Sequence, residues 1–104
     1  MWTYPRVLAH RGGGVHAPEN TMAALRTGVA MGFRGVEFDV MATRDDGLIL
    51  MHDDFLGRTI SGEGSIGDLN VADLQAMDAG VWFSPNYQGE SVPLFAEAAD
   101  YCIS

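Results

Sequence analysis

The strictest constraint on the fold is a stretch at positions 35–40 in which apolar and acidic residues alternate. It reads Gly-Val-Glu-Phe-Asp-Val, and such alternation is typical of a β-strand whose two faces meet different surroundings. The apolar side chains share one face, whereas Glu37 and Asp39 share the other. A fold with this strand must cover the apolar face and also supply partners for two carboxylates, because an unpaired buried carboxylate is costly.

The residues before this strand predict another strand and a helix. An apolar run at 6–10 leads into the glycines at 12–14, which is typical of a buried strand that opens into a loop. Cap-forming residues at 18–21 predict a helix start. Apolar residues then follow at helical spacing until Gly32, which is expected to end the helix.

The residues after the strand predict a β-hairpin. Asp46-Gly47 is a turn signal, and the largely apolar stretch 48–52 is its partner strand. A two-residue turn would place His52 opposite Met41, on the face that carries the two carboxylates. The hairpin therefore predicts a histidine close to the acidic pair.

The rest of the chain has a different character. Segment 53–92 is richer in glycine and polar residues, and we interpret it as an insertion or an irregular subdomain with a short helix near 70–78 that Gly80 ends. Residues 93–103 predict a further helix. The order of strand, helix, strand, hairpin partner, irregular segment and helix predicts an α/β fold.

Charge and cysteine content argue against several classes of protein. The formal net charge of −8 offers no basic surface to nucleic acid, and an anionic substrate would need a local cation such as a divalent metal. The single cysteine excludes an internal disulfide framework. The N-terminus has no signal-peptide core, and no apolar run reaches the ~20 residues of a membrane helix. We therefore expect a cytoplasmic protein without nucleic-acid binding or membrane insertion.

Five side chains are candidates for chemistry, and each has a structural alternative. Glu37 and Asp39 supply the oxygen ligands that hard divalent cations prefer, although a solvated strand face would look the same. His10 and His52 suit general acid and base catalysis near neutral pH, and the alternative is a pair of hydrogen-bonded structural histidines. The planar donors of Arg11 suit a phosphate, but they would suit a surface ion pair equally well.

The joint order of the motifs is more specific than any one of them. They are His10-Arg11-Gly12, Pro18-Glu19-Asn20-Thr21, Glu37-Phe38-Asp39, Asp46-Gly47 and His52-Asp53, followed by Leu56 and Arg58-Thr59. In these motifs and their order the chain resembles the glycerophosphodiester phosphodiesterases, and most closely the cytoplasmic bacterial type.

The resemblance implies the N-terminal part of a TIM (β/α)8 barrel of the PLC-like phosphodiesterase type, with a small inserted subdomain. On this reading residues 1–104 form a partial domain. Residues 1–52 hold the first βαβ unit and the hairpin strand, residues 53–92 form the insertion, and residues 93–104 begin the next barrel helix.

The resemblance also implies a reaction, the hydrolysis of glycerophosphodiesters to an alcohol and glycerol 3-phosphate by metal-assisted acid/base catalysis. His10 and His52 correspond to the acid/base pair of the family, and Glu37 and Asp39 correspond to two metal ligands. The metal in the family is Mg²⁺ or Ca²⁺, and sometimes Mn²⁺.

The same resemblance implies a set of substrate-binding residues. Arg11 corresponds to the residue that grips the substrate phosphate, and Glu19 and Asn20 line the same site or brace it. The implied partner is a small-molecule glycerophosphodiester.

The length of the chain leads us to expect an incomplete enzyme. A complete barrel typically has ~250 residues, and no segment here matches the further acidic metal ligand of the family. The first alternative is therefore an inactive fragment that only binds metal or self-associates through open sheet edges. A second alternative is a related barrel phospholipase, but the chain lacks the disulfides expected of a secreted protein.

Overall fold

The computed structural model describes Pro5 and residues 7–104, so the start of the first predicted strand, at Arg6, lies outside the described residues. The described elements are α1 (Met22–Ala30), β1 (Val40–Ala42), β2 (Leu48–Leu50), α2 (Val71–Gln75) and α3 (Phe95–Ile103), with 3₁₀ turns at His10–Gly12, Ile66–Asp68 and Pro85–Tyr87. This mixture of helices and strands confirms the α/β fold class predicted from the sequence. None of the helices in the described part of the chain is long and apolar enough to cross a membrane.

The first two predicted strands pair in parallel, but only over a short stretch. Ala9 and Val36 form an isolated parallel bridge. The Ala9 N–H donates to the Gly35 carbonyl at 3.0 Å, and the Glu37 N–H donates to the Ala9 carbonyl at 3.0 Å. Helix α1 connects the two paired segments, so the predicted strand–helix–strand order is present with shorter strands than the sequence pattern indicates.

Helix α1 begins where the sequence predicts and packs closely on the turn before it. The Thr21 hydroxyl oxygen accepts a hydrogen bond from the Ala24 N–H at 3.1 Å and donates to the Pro18 carbonyl at 2.7 Å, which caps the helix. Gly28 faces the 3₁₀ turn, and a side chain at this position would overlap the Gly12 carbonyl oxygen. A glycine on this helix face therefore lets α1 hold the His10–Gly12 turn against the sheet.

The hairpin has a different register from the predicted one. Its paired residues are Val40 with Leu50, Met41 with Ile49, and Ala42 with Leu48. The two-residue turn at Asp46-Gly47 is wrong, and so is the placement of His52 opposite Met41. Residues 44–46 form a three-residue loop instead, which moves the partner strand by three positions.

The loop takes this form because it is held by a backbone hydrogen bond at its base and by a contact with the start of α2. The Thr43 N–H donates to the Gly47 carbonyl at 2.8 Å, and Asp46 adopts a left-handed backbone with φ of 61°. Such a conformation is common in three-residue hairpin loops. Asp45 accepts a hydrogen bond from the Val71 N–H at 3.1 Å, so the start of α2 anchors the loop.

One face of the sheet packs against helices. Leu50 of β2 contacts Leu25 of α1 and Ala98 of α3, and Val36 and Phe38 pack against the same cluster. The apolar side of the alternating segment is therefore covered by a helical layer, as its sequence pattern requires.

The opposite face of the hairpin packs against segment 53–92. Ile49 and Met51 belong to the larger buried cluster of the described residues, together with Ile60, Ile66, Leu74, Ala79 and Val92. The predicted short helix in this segment is α2. It ends at Gln75, before the predicted stop at Gly80. Gly80 instead lies so close to the Tyr87 carbonyl that a side chain would overlap it.

Candidate active site

The His10–Gly12 turn is fixed to the strand that carries the acidic pair. The Gly12 N–H donates to the Glu37 carbonyl at 3.1 Å, and the Arg11 N–H donates to Glu37 Oε1 at 3.1 Å. Arg11 has a left-handed backbone, with φ of 53° and ψ of 29°, which costs an ordinary residue about 1–2 kcal/mol. Strained residues of this kind cluster at functional sites, where the surrounding contacts hold them.

Both predicted carboxylates lie at this turn. Glu37 Oε1 is 3.8 Å from His10 Nε2, and Asp39 Oδ2 is 3.9 Å from Arg11 Nε. The structure therefore brings four of the predicted site residues together through the parallel bridge and the turn that follows it. His10 is 69% exposed on its side chain, so a ligand could reach its ring.

Asn20 holds Asp39 in place. Its Nδ2 donates to Asp39 Oδ2 at 3.1 Å, and its Oδ1 accepts from the Asp39 N–H at 3.1 Å. The Asn20 N–H also donates to the Arg11 carbonyl at 2.9 Å. An asparagine suits this position because its amide offers one donor and one acceptor side and because it tolerates the left-handed φ of 56° found here. These contacts favour a bracing role.

The Arg11 guanidinium is hydrogen-bonded at one end, whereas its other end lies near Asp39 without a hydrogen bond to any described residue. Its Nη1 donates to Glu19 Oε1 at 3.0 Å. Its Nε is buried and makes no hydrogen bond with the described part of the chain. A buried donor without a partner is unusual in a folded protein, and a charged fork of this kind suits a phosphate oxygen.

His52 joins this group through a chain of ion pairs and not through the sheet. Its Nδ1 lies 2.7 Å from Asp53 Oδ1. Arg58 donates from Nε to Asp53 Oδ2 at 2.8 Å and from Nη2 to Glu19 Oε2 at 2.7 Å. Since Glu19 also binds Arg11, one continuous network links His52 with the predicted phosphate-binding arginine.

Asp53 and Arg58 are the members of this network that sequence reasoning left out of the site. Both lie in the matched motifs, at His52-Asp53 and Arg58-Thr59, but nothing in their spacing shows that they contact each other. The signal that could have found them was their position inside these motifs, as charged residues at the start of a segment that is otherwise rich in glycine and polar residues.

The side chains of the network stabilise one another in their charged forms. Burial pushes the pKa of the Glu19 carboxyl up, but hydrogen bonds from Arg58 and Arg11 outweigh this effect and hold it below its ordinary value. Hydrogen bonds from Arg58 and His52 hold the pKa of Asp53 well below its usual range. Glu19 and Asp53 in turn raise the pKa of Arg58. All three side chains are therefore charged at neutral pH.

Glu37 and Asp39 are the described residues whose chemistry would suit a metal ion. Within Pro5 and 7–104, no group of three histidine, cysteine or acidic side chains converges on one point. Glu37 Oε2 and Asp39 Oδ1 make no hydrogen bond within that range. Two carboxylates fit a hard cation such as Mg²⁺, which commonly takes one or two of them together with water and substrate phosphate oxygens.

Comparison with known sequences gives one family. Residues 10–103 match the model of the glycerophosphoryl diester phosphodiesterase family. YhdW of Bacillus subtilis is 42% identical over 87 residues, which are 84% of this chain and 36% of that protein. The glycerophosphodiester phosphodiesterase of Caldanaerobacter subterraneus is 38% identical over 91 residues, which are 88% of this chain and 37% of that protein.

Solved structures give the same result. A phosphodiesterase of Oleispira antarctica, in complex with the product sn-glycerol-3-phosphate, has a TM-score of 0.92 and 41% identity, covering 95% of this chain and 40% of that one. A glycerophosphodiester phosphodiesterase of Agrobacterium tumefaciens has a TM-score of 0.85 and 35% identity, covering 88% of this chain and 40% of that one. These neighbours are TIM barrels, so the chain has the fold of part of such a barrel. It spans between 36% and 40% of the length of these relatives.

Proposed function

The chain belongs to the glycerophosphoryl diester phosphodiesterase family, and on that premise we propose that it carries catalytic residues for hydrolysis of glycerophosphodiesters to an alcohol and glycerol 3-phosphate. The observation that carries this proposal is the placement of Arg11. Its buried, unpartnered Nε lies beside Asp39 in a turn that also holds His10 next to Glu37. The bound sn-glycerol-3-phosphate of the Oleispira antarctica relative supports the choice of product.

His10 and His52 act as the acid/base pair in this proposal. One imidazole accepts the proton of the attacking hydroxyl, and the other donates a proton to the departing alkoxide. Both rings are accessible, since the side chains are 69% and 43% exposed. The Asp53 carboxylate at Nδ1 of His52 holds that ring in one orientation while it transfers the proton.

Glu37 and Asp39 would hold the divalent metal, for which we propose Mg²⁺ or Ca²⁺, with Mn²⁺ as a third candidate. When bound, the metal would neutralise phosphate charge and lower the pKa of a nearby hydroxyl or water. Asn20 keeps the Asp39 carboxylate in a fixed orientation through its two hydrogen bonds. A fixed carboxylate binds a cation with less loss of conformational freedom.

Arg11 binds the substrate phosphate. Glu19 holds its Nη1, so the guanidinium is fixed with its Nε beside Asp39. The formal net charge of −8 opposes an anionic substrate, and a fixed arginine together with a metal overcomes this repulsion locally.

The proposal concerns what this chain contributes, because its relatives are longer. A cytoplasmic location and a role in lipid and glycerol metabolism remain predictions. The alternative is a chain that binds metal or self-associates through its open strand edges without catalysis. It would use the edges of the short hairpin and of the parallel bridge between Ala9 and Val36.

The test is release of glycerol 3-phosphate from glycerophosphocholine by the purified chain, with Mg²⁺ or Ca²⁺ and with chelator. Any activity of the chain should be chelator-sensitive, and His10→Ala and His52→Ala should each abolish it. His16→Ala is the matched control, because His16 is an exposed loop histidine outside the site. Activity that survives in either histidine variant would contradict the proposal, and a folded, soluble chain without activity would support the non-catalytic alternative for this chain.

A further inference from the structure

We propose that Arg58 is a positioning residue that serves both halves of the site, holding His52 through Asp53 and Arg11 through Glu19. This inference rests on the proposed function, in which His52 transfers a proton and Arg11 binds phosphate. It assigns a role to segment 53–92, because Asp53 and Arg58 of that segment reach the site.

The hydrogen bonds of Arg58 leave little of the side chain for a ligand. Nη1 and Nη2 donate to the two oxygens of Glu19 at 2.8 and 2.7 Å, and Nε and Nη2 donate to the two oxygens of Asp53 at 2.8 and 3.0 Å. A guanidinium has five N–H donors, so four of them are occupied by two carboxylates. Arg11 differs in this respect, since its buried Nε makes no hydrogen bond with the described residues.

The contact between Asp53 and His52 selects one tautomer of the histidine. Asp53 Oδ1 lies 2.7 Å from His52 Nδ1, and an ionised carboxylate can only accept a hydrogen bond. A neutral His52 must therefore carry its proton on Nδ1, which leaves Nε2 free as the acid/base atom. Arg58 keeps the carboxylate ionised and turned toward the ring because it binds both of its oxygens.

Glu19 connects Arg58 with Arg11, so Arg58 also fixes the position of Arg11. Its Oε1 accepts from Arg58 Nη1 and from Arg11 Nη1, and only 11% of its side chain is exposed. Removal of Arg58 would leave a largely buried carboxylate with one cationic partner. Breaking such a pair is costly, so Glu19 would turn and Arg11 would lose its fixed position.

The geometry requires arginine at position 58. Two carboxylates are bound along two edges of one planar group, and the ammonium of lysine cannot reproduce this fork. Arg58→Lys should therefore behave like Arg58→Met, although it keeps the charge. If Arg58 acted only through its charge, Arg58→Lys would instead behave like the unchanged protein.

The experiment is nitrogen-15 NMR of the histidine rings in the 104-residue chain, at a pH well above the ordinary histidine pKa of about 6.5. His52→Ala identifies the signals of His52. We expect the Nδ1–H tautomer in the unchanged protein and loss of its dominance in Arg58→Met, Arg58→Lys and Asp53→Asn. Arg26→Gln is the matched control, because it removes an exposed arginine that pairs with Glu90 at 3.4 Å.

Each outcome decides the proposal. An unchanged His52 tautomer in folded Arg58→Met and Asp53→Asn would overturn it, and restoration by lysine would overturn the requirement for arginine. If Arg58→Met does not fold, the tautomer of His52 in Asp53→Asn and in Arg58→Lys tests the same inference. The tautomer is measured without turnover, so failure of the phosphodiesterase assay and failure of this inference are distinguishable. In an active chain, Arg58→Met should lower kcat about 10- to 100-fold and raise KM, because Arg11 shifts as well.

Discussion

The side-chain amide of Asn20 brackets Asp39, donating to its carboxylate and accepting from its backbone N–H, each at 3.1 Å. A candidate metal ligand is thus fixed by a buried side chain from a different part of the chain. Asn20 is only 5% exposed and has a φ of 56°, so its contacts offset the cost of an unfavourable backbone conformation.

The two hydrogen bonds between Asn20 and Asp39 predict that Asn20→Ala destabilises the folded chain. The substitution leaves the Asp39 N–H without its acceptor and places alanine at a positive φ, so we expect a loss of about 1–3 kcal/mol in the free energy of unfolding. Urea denaturation measures this loss. Asn86→Ala is the control, since Asn86 is exposed. Equal effects of the two substitutions would show that the bracket contributes nothing to stability.

The close approach between Gly28 and Gly12 predicts that Gly28→Ala destabilises the chain. An added Cβ would overlap the Gly12 carbonyl oxygen, and such overpacking costs about 1–3 kcal/mol. Because the displaced turn carries Arg11, phosphate binding should weaken as well. The control is Gly67→Ala, whose Cβ would meet its nearest neighbour at 3.8 Å. A stable Gly28→Ala protein with unchanged urea midpoint would contradict the packing described for α1.

The ion-pair network predicts loss of stability in acid. The pKa of Asp53 and that of Glu19 are both lowered in the folded chain, from ordinary values of 3.8 and 4.5. The unfolded state therefore binds more protons in this range, and stability falls as pH falls. The contribution is complete above about pH 5.5, about one unit above the ordinary pKa of Glu19. It is lost progressively below that pH, as each carboxyl is titrated toward its folded pKa.

Urea midpoints measured from pH 7 down to pH 3 test this dependence. Asp53→Asn should flatten the profile, because the titrating group and its ion pair with Arg58 are removed together. Asp54→Asn is the control, since the exposed Asp54 side chain forms no ion pair with the described residues. If the urea midpoint of Asp53→Asn fell with pH as steeply as that of the unchanged chain, other groups would be responsible for the loss of stability in acid.

The unpartnered Nε predicts that Arg11→Gln weakens binding of inorganic phosphate and glycerol 3-phosphate. Hydrogen bonds to charged groups contribute about 1.5–3 kcal/mol, so affinity should fall at least about tenfold. NMR titration measures the change, and Arg34→Gln provides the control because Arg34 is exposed. If both variants bind phosphate equally, the anion site lies elsewhere.

The acidic pair predicts stabilisation by divalent metal. Mg²⁺ or Ca²⁺ should raise the Tm of the chain, since a ligand that binds only the folded state stabilises it. The double variant Glu37→Gln, Asp39→Asn should lose this response, while Glu63→Gln, which alters an exposed carboxylate, should retain it. The same metal-induced shift in the double variant would exclude these residues as ligands.

The features that depend on local geometry could be predicted from the order of the residues. The start of α1 follows from the hydrogen-bonding capacity of Thr21, and the shared face of Glu37 and Asp39 follows from the two-residue period of extended chain. The predicted helix at 93–103 is α3, Phe95–Ile103, with a start two residues later. These features can be predicted from the sequence because each depends on residues a few positions apart.

The hairpin register and the partners of His52 depend on contacts between distant segments of the chain. The register depends on the contact of Asp45 with Val71, which lies far along the chain and has no local signal. His52 reaches the site through an arginine of segment 53–92, whose buried cluster packs on Ile49 of the hairpin. Backbone periodicity is a local property, whereas ion pairs and packing contacts form between segments that only folding brings together.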